Sequence, residues 1–142
     1  MLRLPATVDN LAQAQDFLDV CTGRLGLDRR LAGKLSIALE EIFVNICHYA
    51  YPEKTGMVEL SCLIDGNRFV VEVADEGVAF DAQSVTDPDL SADLDQRRVG
   101  GLGWFLVRKM ADELDCRCEN GRNIVRMAMR LDDSAPGAAV GL

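Results

Sequence analysis

A long apolar stripe at helical spacing constrains this sequence more than any other feature. Its members recur every three or four positions after Asp28 and stop before Pro52: Leu31, Leu35, Ala38, Ile42, Ile46 and Tyr49. Asp28 is suited to cap the first turn, and proline at position 52 forbids a further one. The stripe predicts one long amphipathic helix that must bury a face against the rest of the domain.

Alternating apolar residues on both sides of this helix predict strands. They indicate a short edge strand around Pro5 and two hairpins with turns at 65–67 and 120–121. Helical spacing predicts a first helix over 9–25 and a third after the glycines of 100–103. Together these elements predict a two-layer α/β sandwich, in which three helices cover one face of a mixed, mainly antiparallel sheet.

The length and charge of the chain limit its function. Its 142 residues fit one domain, which we expect over 1–133, with a flexible Gly/Ala-rich tail over 134–142. A formal net charge of -8 disfavours direct nucleic-acid binding, which needs a basic surface, and makes a protein partner the better expectation. With no signal peptide and no apolar run of ~20 residues, we expect a cytoplasmic protein that does not enter a membrane.

Five cysteines are scattered along the chain. They include no CxxC pair and no histidine at ligand spacing, so we expect reduced core residues and no zinc site.

A narrow polar strip runs along the long apolar helix and consists of Lys34, Glu41, Asn45 and His48. Glu41 and Asn45 are four residues apart and therefore point the same way. A buried polar group without a partner costs about 1 to 3 kcal/mol, so each would need one. The pattern fits a ligand site, and it equally fits a structural hydrogen bond or a solvated helix edge.

Asp75 ends the second strand of the first hairpin and has the same parity as Val71 and Val73, so its carboxylate should face the core side. A carboxylate only accepts hydrogen bonds, which suits the exocyclic amino group of adenine. Gly77 permits the close backbone approach or the positive φ that a flat base at a strand end would require. The same Asp-x-Gly pattern is also common in ordinary strand-ending turns.

A glycine cluster at 100–103 lies where a long stretch without periodicity becomes the third helix. Unpaired amides at a helix start can hold phosphates, and Arg98 adds positive charge. The cluster is not a Walker loop, because the Lys-Ser/Thr pair is absent, and such glycines also serve as helix entry or packing points. The stretch before it, from 75 to 100, is long and polar, as mobile lids commonly are.

Three segments in order resemble the N box, first glycine box and second glycine box of the anti-sigma-factor serine kinases. These are EIFVN at 41–45, DEGVAFD at 75–81 and GGLGWFLV at 100–107. That family is a branch of the gyrase, heat-shock chaperone and histidine-kinase ATPase superfamily, with a Bergerat-type ATP-binding fold. The resemblance covers about residues 2–131. Each box is weak alone, whereas three in sequence with a lid between the last two are specific.

The resemblance implies an ATP-binding serine/threonine protein kinase that regulates transcription by partner switching, with an anti-sigma antagonist and a sigma factor as its partners. The implied cofactors are ATP and Mg²⁺, with Asn45 as the metal ligand, Glu41 as the general base and Asp75 as the adenine reader. The implied nucleotide-binding positions are Asn45, Asp75, Gly77, Ala79, Arg98, Gly100, Gly101, Leu102, Gly103 and Asn123. The family commonly forms dimers, although the sequence leaves the oligomeric state open.

Two positions depart from the family pattern. Ala79 stands where a second glycine is usual, and Asn123 stands where the last hairpin usually carries a threonine. Asparagine, like threonine, both donates and accepts hydrogen bonds. Two other functions stay open: a nucleotide-gated protein-binding module without kinase activity, and a detached histidine-kinase catalytic domain that phosphorylates a histidine supplied in trans.

Overall fold

The computed structural model describes residues 1–79 and 101–131, with 101–105 described by their backbone alone. The elements follow one another as β1 (Leu2–Pro5), α1 (Leu11–Arg24), α2 (Arg29–Tyr49), β2 (Met57–Asp65), β3 (Arg68–Asp75), α3 (Gly101–Met110), β4 (Glu113–Glu119) and β5 (Arg122–Arg130). One turn of 3-10 helix, Val8–Asn10, precedes α1. The predicted α/β class and element order are confirmed. The predicted tail and most of the predicted lid lie outside the described residues.

The sheet has the strand order β1-β2-β3-β5-β4, and every neighbouring pair of these described strands is antiparallel. β3 and β4 run parallel to each other, but β5 lies between them and pairs with both. The prediction of a mainly antiparallel sheet is therefore confirmed. The described strands contain no parallel pair, so the sheet is not mixed. β1 lies at an edge with Pro5 as its last residue, where the missing N–H costs no ladder bond.

The central helix α2 forms the main packing surface on the inner face of the sheet. It begins where predicted, because the Asp28 carboxylate accepts the N–H of Arg30 at 2.7 Å. Leu39 and Phe43 are fully buried, whereas Tyr49 of the predicted stripe is exposed. The buried face of α2 therefore differs from the predicted stripe, because α2 contacts α1 and α3 as well as the sheet. None of the helices in the described chain is long and apolar enough to span a membrane.

The outer face of the sheet carries ion pairs. The Arg126 guanidinium lies 2.7 Å from Asp65 and 3.7 Å from Glu72, and Arg122 lies 2.7 Å from Glu59. These side chains are partly exposed, so each pair contributes little to stability. Their position marks this face as the solvent side of the two-layer fold.

The five cysteines are all free thiols. Burial raises the pKa of Cys47 and of Cys116 to about 11, and of Cys62 to about 12, so these side chains are protonated at neutral pH. Cys118 differs from the prediction, since it is exposed near the end of β4, an edge strand. No group of three or more His, Cys, Asp or Glu within 1–79 and 101–131 is arranged to hold a metal.

Candidate functional site

Asp75 lies at the end of β3, between Val58 of β2 and Asn123 of β5 in the sheet register. Its side chain faces inward with the core residues of β3, as the strand parity predicts, and only 6% of the residue is exposed. An inward carboxylate on an otherwise apolar face is a costly arrangement that needs hydrogen-bond partners.

The two hydrogen bonds that the described residues donate to the Asp75 carboxylate reach the same oxygen. Asn123 Nδ2 and the Gly77 N–H each donate to Oδ1 at 2.8 Å. Burial raises the pKa of Asp75, and these two bonds and the charge of Arg122 offset that rise only in part. Neither bond occupies Oδ2, and Asp75 also lines a cavity.

The amide of Asn123 is held in one orientation by its neighbours. Its Nδ2 also donates to the Val78 carbonyl at 3.0 Å, and its Oδ1 accepts the Cys118 thiol at 3.1 Å. Since Nδ2 faces acceptors and Oδ1 faces a donor, the reversed amide would lose all of these bonds. Asn123 therefore ties β5 to residues 75–78, which we call the Asp75 loop.

Gly77 is required by a close contact with the end of α2. A Cβ at this position would overlap the carbonyl group of Ala50, which already accepts the Val78 N–H at 2.7 Å. Its φ is not positive, so the alternative of a left-handed residue at this position is wrong. The glycine lets the Asp75 loop pack directly on the helix end.

Gly77→Ala should therefore destabilise the fold by about 1 to 3 kcal/mol, because the backbone of Ala50 must move to admit the methyl group. Chemical denaturation would measure the loss. The matched control is Gly33→Ala within α2, where an added Cβ meets nothing within 4 Å and should stabilise by about 0.5 to 1 kcal/mol. Equal stability of Gly77→Ala and the unmodified protein would contradict the contact.

A cavity of about 190 Å³ opens between α2 and the Asp75 end of the sheet. It is lined by Ile42, Asn45, Ile46, Tyr49, Ala50, Asp75, Val78, Ala79, Asn123 and Val125. Complete small-molecule sites usually have at least about 300 Å³, so this cavity fits part of a ligand, such as a flat base. Apolar walls from α2 and β5 with a single carboxylate at one end are what a nucleobase with an exocyclic amine requires.

The structure brings several of the predicted residues together. Those that line the cavity are Asn45, Asp75, Ala79 and Asn123. Glu41 is half-buried one helical turn before Asn45 and is not among the lining residues. Residues 101–103 form the first turn of α3, whereas Arg98 and Gly100 lie outside the described residues.

Sequence reasoning assigned no role to two features at the end of α2. These are the Ala50 carbonyl, which bonds the Asp75 loop, and the Tyr51 hydroxyl, which bonds both β2 and the Asp75 loop. Both lie at or beyond the end of the helical periodicity, where no pattern indicates what a residue will contact. The sequence offers one signal for each contact, a glycine: Gly56 leaves room for the Tyr51 ring, and Gly77 leaves room for the Ala50 carbonyl.

The family model of the histidine kinase-like ATPase domain matches residues 4–129 of the chain. The chain belongs to this family. This confirms the membership of the ATPase superfamily that the three motifs predicted.

Relatives of known name agree with this assignment. Serine-protein kinase RsbW of Listeria monocytogenes serovar 1/2a (strain ATCC BAA-679 / EGD-e) is 28% identical over 129 residues, which are 87% of this chain and 82% of the relative. The protein of the same name from Bacillus thuringiensis (strain Al Hakam) is 25% identical over 128 residues, or 87% of this chain and 80% of the relative.

Two solved structures share the fold of this histidine kinase-like ATPase domain. The RsbU and RsbW domains of a Mycobacterium tuberculosis protein match with a TM-score of 0.60 and 16% identity over 91% of this chain. A blue-light activated histidine kinase of Erythrobacter litoralis matches with a TM-score of 0.53 and 21% identity over 73% of it. This chain spans only 32% and 31% of those two solved chains.

Proposed function

We propose that this chain is an ATP-dependent protein serine/threonine kinase that regulates a sigma factor by partner switching. The observation that carries the proposal is the buried Asp75 carboxylate, which keeps one oxygen for a ligand at the end of a narrow apolar cavity. Relatives named serine-protein kinase RsbW, similar over 87% of the chain, support a hydroxyl side chain as the phosphoryl acceptor.

Base recognition follows from the chemistry of the cavity. The exocyclic amine of adenine would donate to Asp75 Oδ2, while Ile42 and Val125 line the slot for the faces of the ring. A purine with a carbonyl at the same place would bring its oxygen against Asp75 Oδ2, and two acceptors repel each other. We therefore expect ATP and ADP to bind in preference to ITP and GTP.

Asn45 is the residue that would hold Mg²⁺ together with the nucleotide. Its amide oxygen is a hard ligand in the wall of the cavity, and magnesium is commonly held by one or two protein oxygens plus substrate phosphates. The fit is adequate because no larger protein cage is needed. When bound, the ion neutralises phosphate charge.

Asn45→Ala should weaken ATP binding by about tenfold when Mg²⁺ is present and leave binding in a chelator almost unchanged, because the proposed role of the Asn45 amide oxygen is to hold the metal. Calorimetric titration with ATP in Mg²⁺ and in EDTA measures both values. Asn45→Asp, which keeps an oxygen ligand, is the matched control and should retain the metal dependence. A loss of equal size in both buffers would assign Asn45 a structural role.

The partners belong to the proposal as well. We propose an anti-sigma antagonist as the protein phosphorylated and a sigma factor as the protein held, with the whole cycle in the cytoplasm and neither nucleic acid nor membrane bound directly. The formal net charge of -8 supports protein partners over nucleic acid. A homodimer, common in the family, is the expected assembly, and sedimentation of the purified chain tests it.

One observation favours a second candidate, a nucleotide-gated protein-binding module without kinase activity. Glu41, the proposed base, does not line the cavity that Asn45 and Asp75 line. Incubation with labelled ATP and an antagonist protein separates the two, since only a kinase transfers the label. Acid treatment of the product then tests the detached histidine-kinase alternative, because phosphohistidine is acid-labile and phosphoserine is not.

A further inference from the structure

Tyr51 is placed to connect the end of α2 with two strands at once. Its hydroxyl donates to the carbonyl oxygen of Met57 at 2.7 Å and accepts the N–H of Glu76 at 2.8 Å. Met57 is the first residue of β2, and Glu76 directly follows the last residue of β3. One side chain thus fixes the helix end relative to two adjacent strands of the sheet.

The ring of Tyr51 occupies a place that a glycine leaves open. A Cβ at Gly56 would overlap the ring, so any larger residue there would displace the hydroxyl. Burial raises the pKa of Tyr51, so the hydroxyl stays protonated at neutral pH and can donate to Met57.

The neighbouring residue, Ala50, makes a second tie to the same loop. Its carbonyl accepts the Val78 N–H at 2.7 Å and lies against Gly77. Residues 50 and 51 therefore hold positions 76, 77 and 78 of the Asp75 loop in succession. Ala50, Asp75 and Val78 line the cavity, but Tyr51 is not among its lining residues.

We propose that Tyr51 is a positioning residue for adenine: it sets the spacing between α2 and the Asp75 loop and acts on the base through Asp75. This inference rests on the proposed nucleotide function. Because Tyr51 would set the width of the cavity that holds the base, the inference predicts a change in nucleoside affinity. The dependence of ATP affinity on Mg²⁺ should not change.

Tyr51→Phe tests the inference because it keeps the ring in its place beside Gly56 and removes only the oxygen. Affinity should fall about threefold to tenfold, equally for ATP, ADP and adenosine, as expected for the loss of one or two neutral hydrogen bonds. The ratio of ATP affinities with and without Mg²⁺ should not change. Without nucleotide, amide exchange at Glu76 should become faster, since its N–H loses its acceptor.

A double-mutant cycle with Asp75→Asn separates positioning from general destabilisation. If Tyr51 acts through Asp75, its removal costs little further affinity once the Asp75 carboxylate is gone. Thr22→Val is the matched control, because it removes a buried hydroxyl that bonds the Asp19 carbonyl within α1 and should leave nucleotide affinity unchanged. Gly56→Ala, which displaces the ring, should reproduce the Tyr51→Phe result.

Unchanged affinity in Tyr51→Phe, or fully additive losses in the cycle, would overturn the inference while leaving the proposed function intact. Failure of the unmodified protein to bind any adenine nucleotide would overturn both.

Discussion

Asp75→Asn is expected to weaken adenine-nucleotide binding by about 10- to 150-fold without loss of fold, the range for one hydrogen bond to a charged group. The new amide oxygen can still accept from Asn123 and from the Gly77 N–H, which both bond Oδ1. Those two donors force the amide nitrogen into the place of Oδ2. There it would meet the amino group of adenine, donor against donor.

Calorimetry and thermal denaturation together measure this result. Burial raises the pKa of Asp75, so the ionised form is disfavoured in the folded protein and its removal should leave the melting temperature unchanged or higher. Asp65→Asn, at an exposed carboxylate on the outer face of the sheet, is the control and should bind ATP normally. Full ATP affinity in Asp75→Asn would refute the assignment of Asp75 to the base.

The raised pKa of Asp75 predicts opposite pH trends for the stability of the fold and for nucleotide binding. The folded protein keeps the Asp75 proton to a higher pH than the unfolded chain, whose value is the ordinary one near 3.8. The free energy of unfolding contributed by this group is therefore highest below that value and falls as the pH rises through the raised folded pKa. If Asp75 accepts the adenine amine as proposed, nucleotide binding needs the ionised form and should be lost as the pH falls through the same range. Asp75→Asn should show neither trend.

Glu41→Gln is expected to slow phosphoryl transfer by about 10² to 10⁴, the usual contribution of a positioned general base, with ATP affinity almost unchanged. Glu41 lies one helical turn before the proposed magnesium ligand Asn45, so both side chains lie on the same side of α2. A base there would take the proton of the acceptor hydroxyl as it attacks the γ-phosphate. Glutamine keeps the size of the side chain and removes its basicity.

The measurement is single-turnover transfer of labelled phosphate to an anti-sigma antagonist, with ATP affinity determined separately. Glu40→Gln is the matched control, since Glu40 is exposed next to Glu41 on α2 and accepts Gln15 Nε2 at 3.4 Å on the side of α1. It should transfer at the normal rate. Normal turnover in Glu41→Gln would remove Glu41 from the mechanism, and loss of the fold would show a structural role.

Much of the fold follows from local patterns in the sequence. The stripe before Pro52 and the cap at Asp28 define α2 to within a residue or two, and strand alternation locates both hairpins. The position of β5 between β3 and β4 was not predictable, because alternation says which way a side chain faces but not which strand lies beside it.

In the candidate site, too, local patterns predict which way side chains face but not their tertiary contacts. Parity alone placed Asp75 on the inner face, and helical spacing placed Asn45 on the same side as Glu41. Which carboxylate oxygen of Asp75 is occupied depends on Asn123, 48 residues away in the chain. The need for Gly77 likewise comes from Ala50, a tertiary contact that leaves no periodic mark in the sequence.

The strand order has a consequence for how this protein is made. β5 follows all the other described strands in the chain, yet it lies inside the sheet and brings Asn123 against Asp75. A partly synthesised chain on the ribosome, lacking β5, has no wall for the cavity at Val125 and no amide to hold the Asp75 loop. On the proposed function, nucleotide would bind only once β5 has joined the sheet, and bound ATP would then stabilise molecules that contain β5 but not nascent chains that lack it.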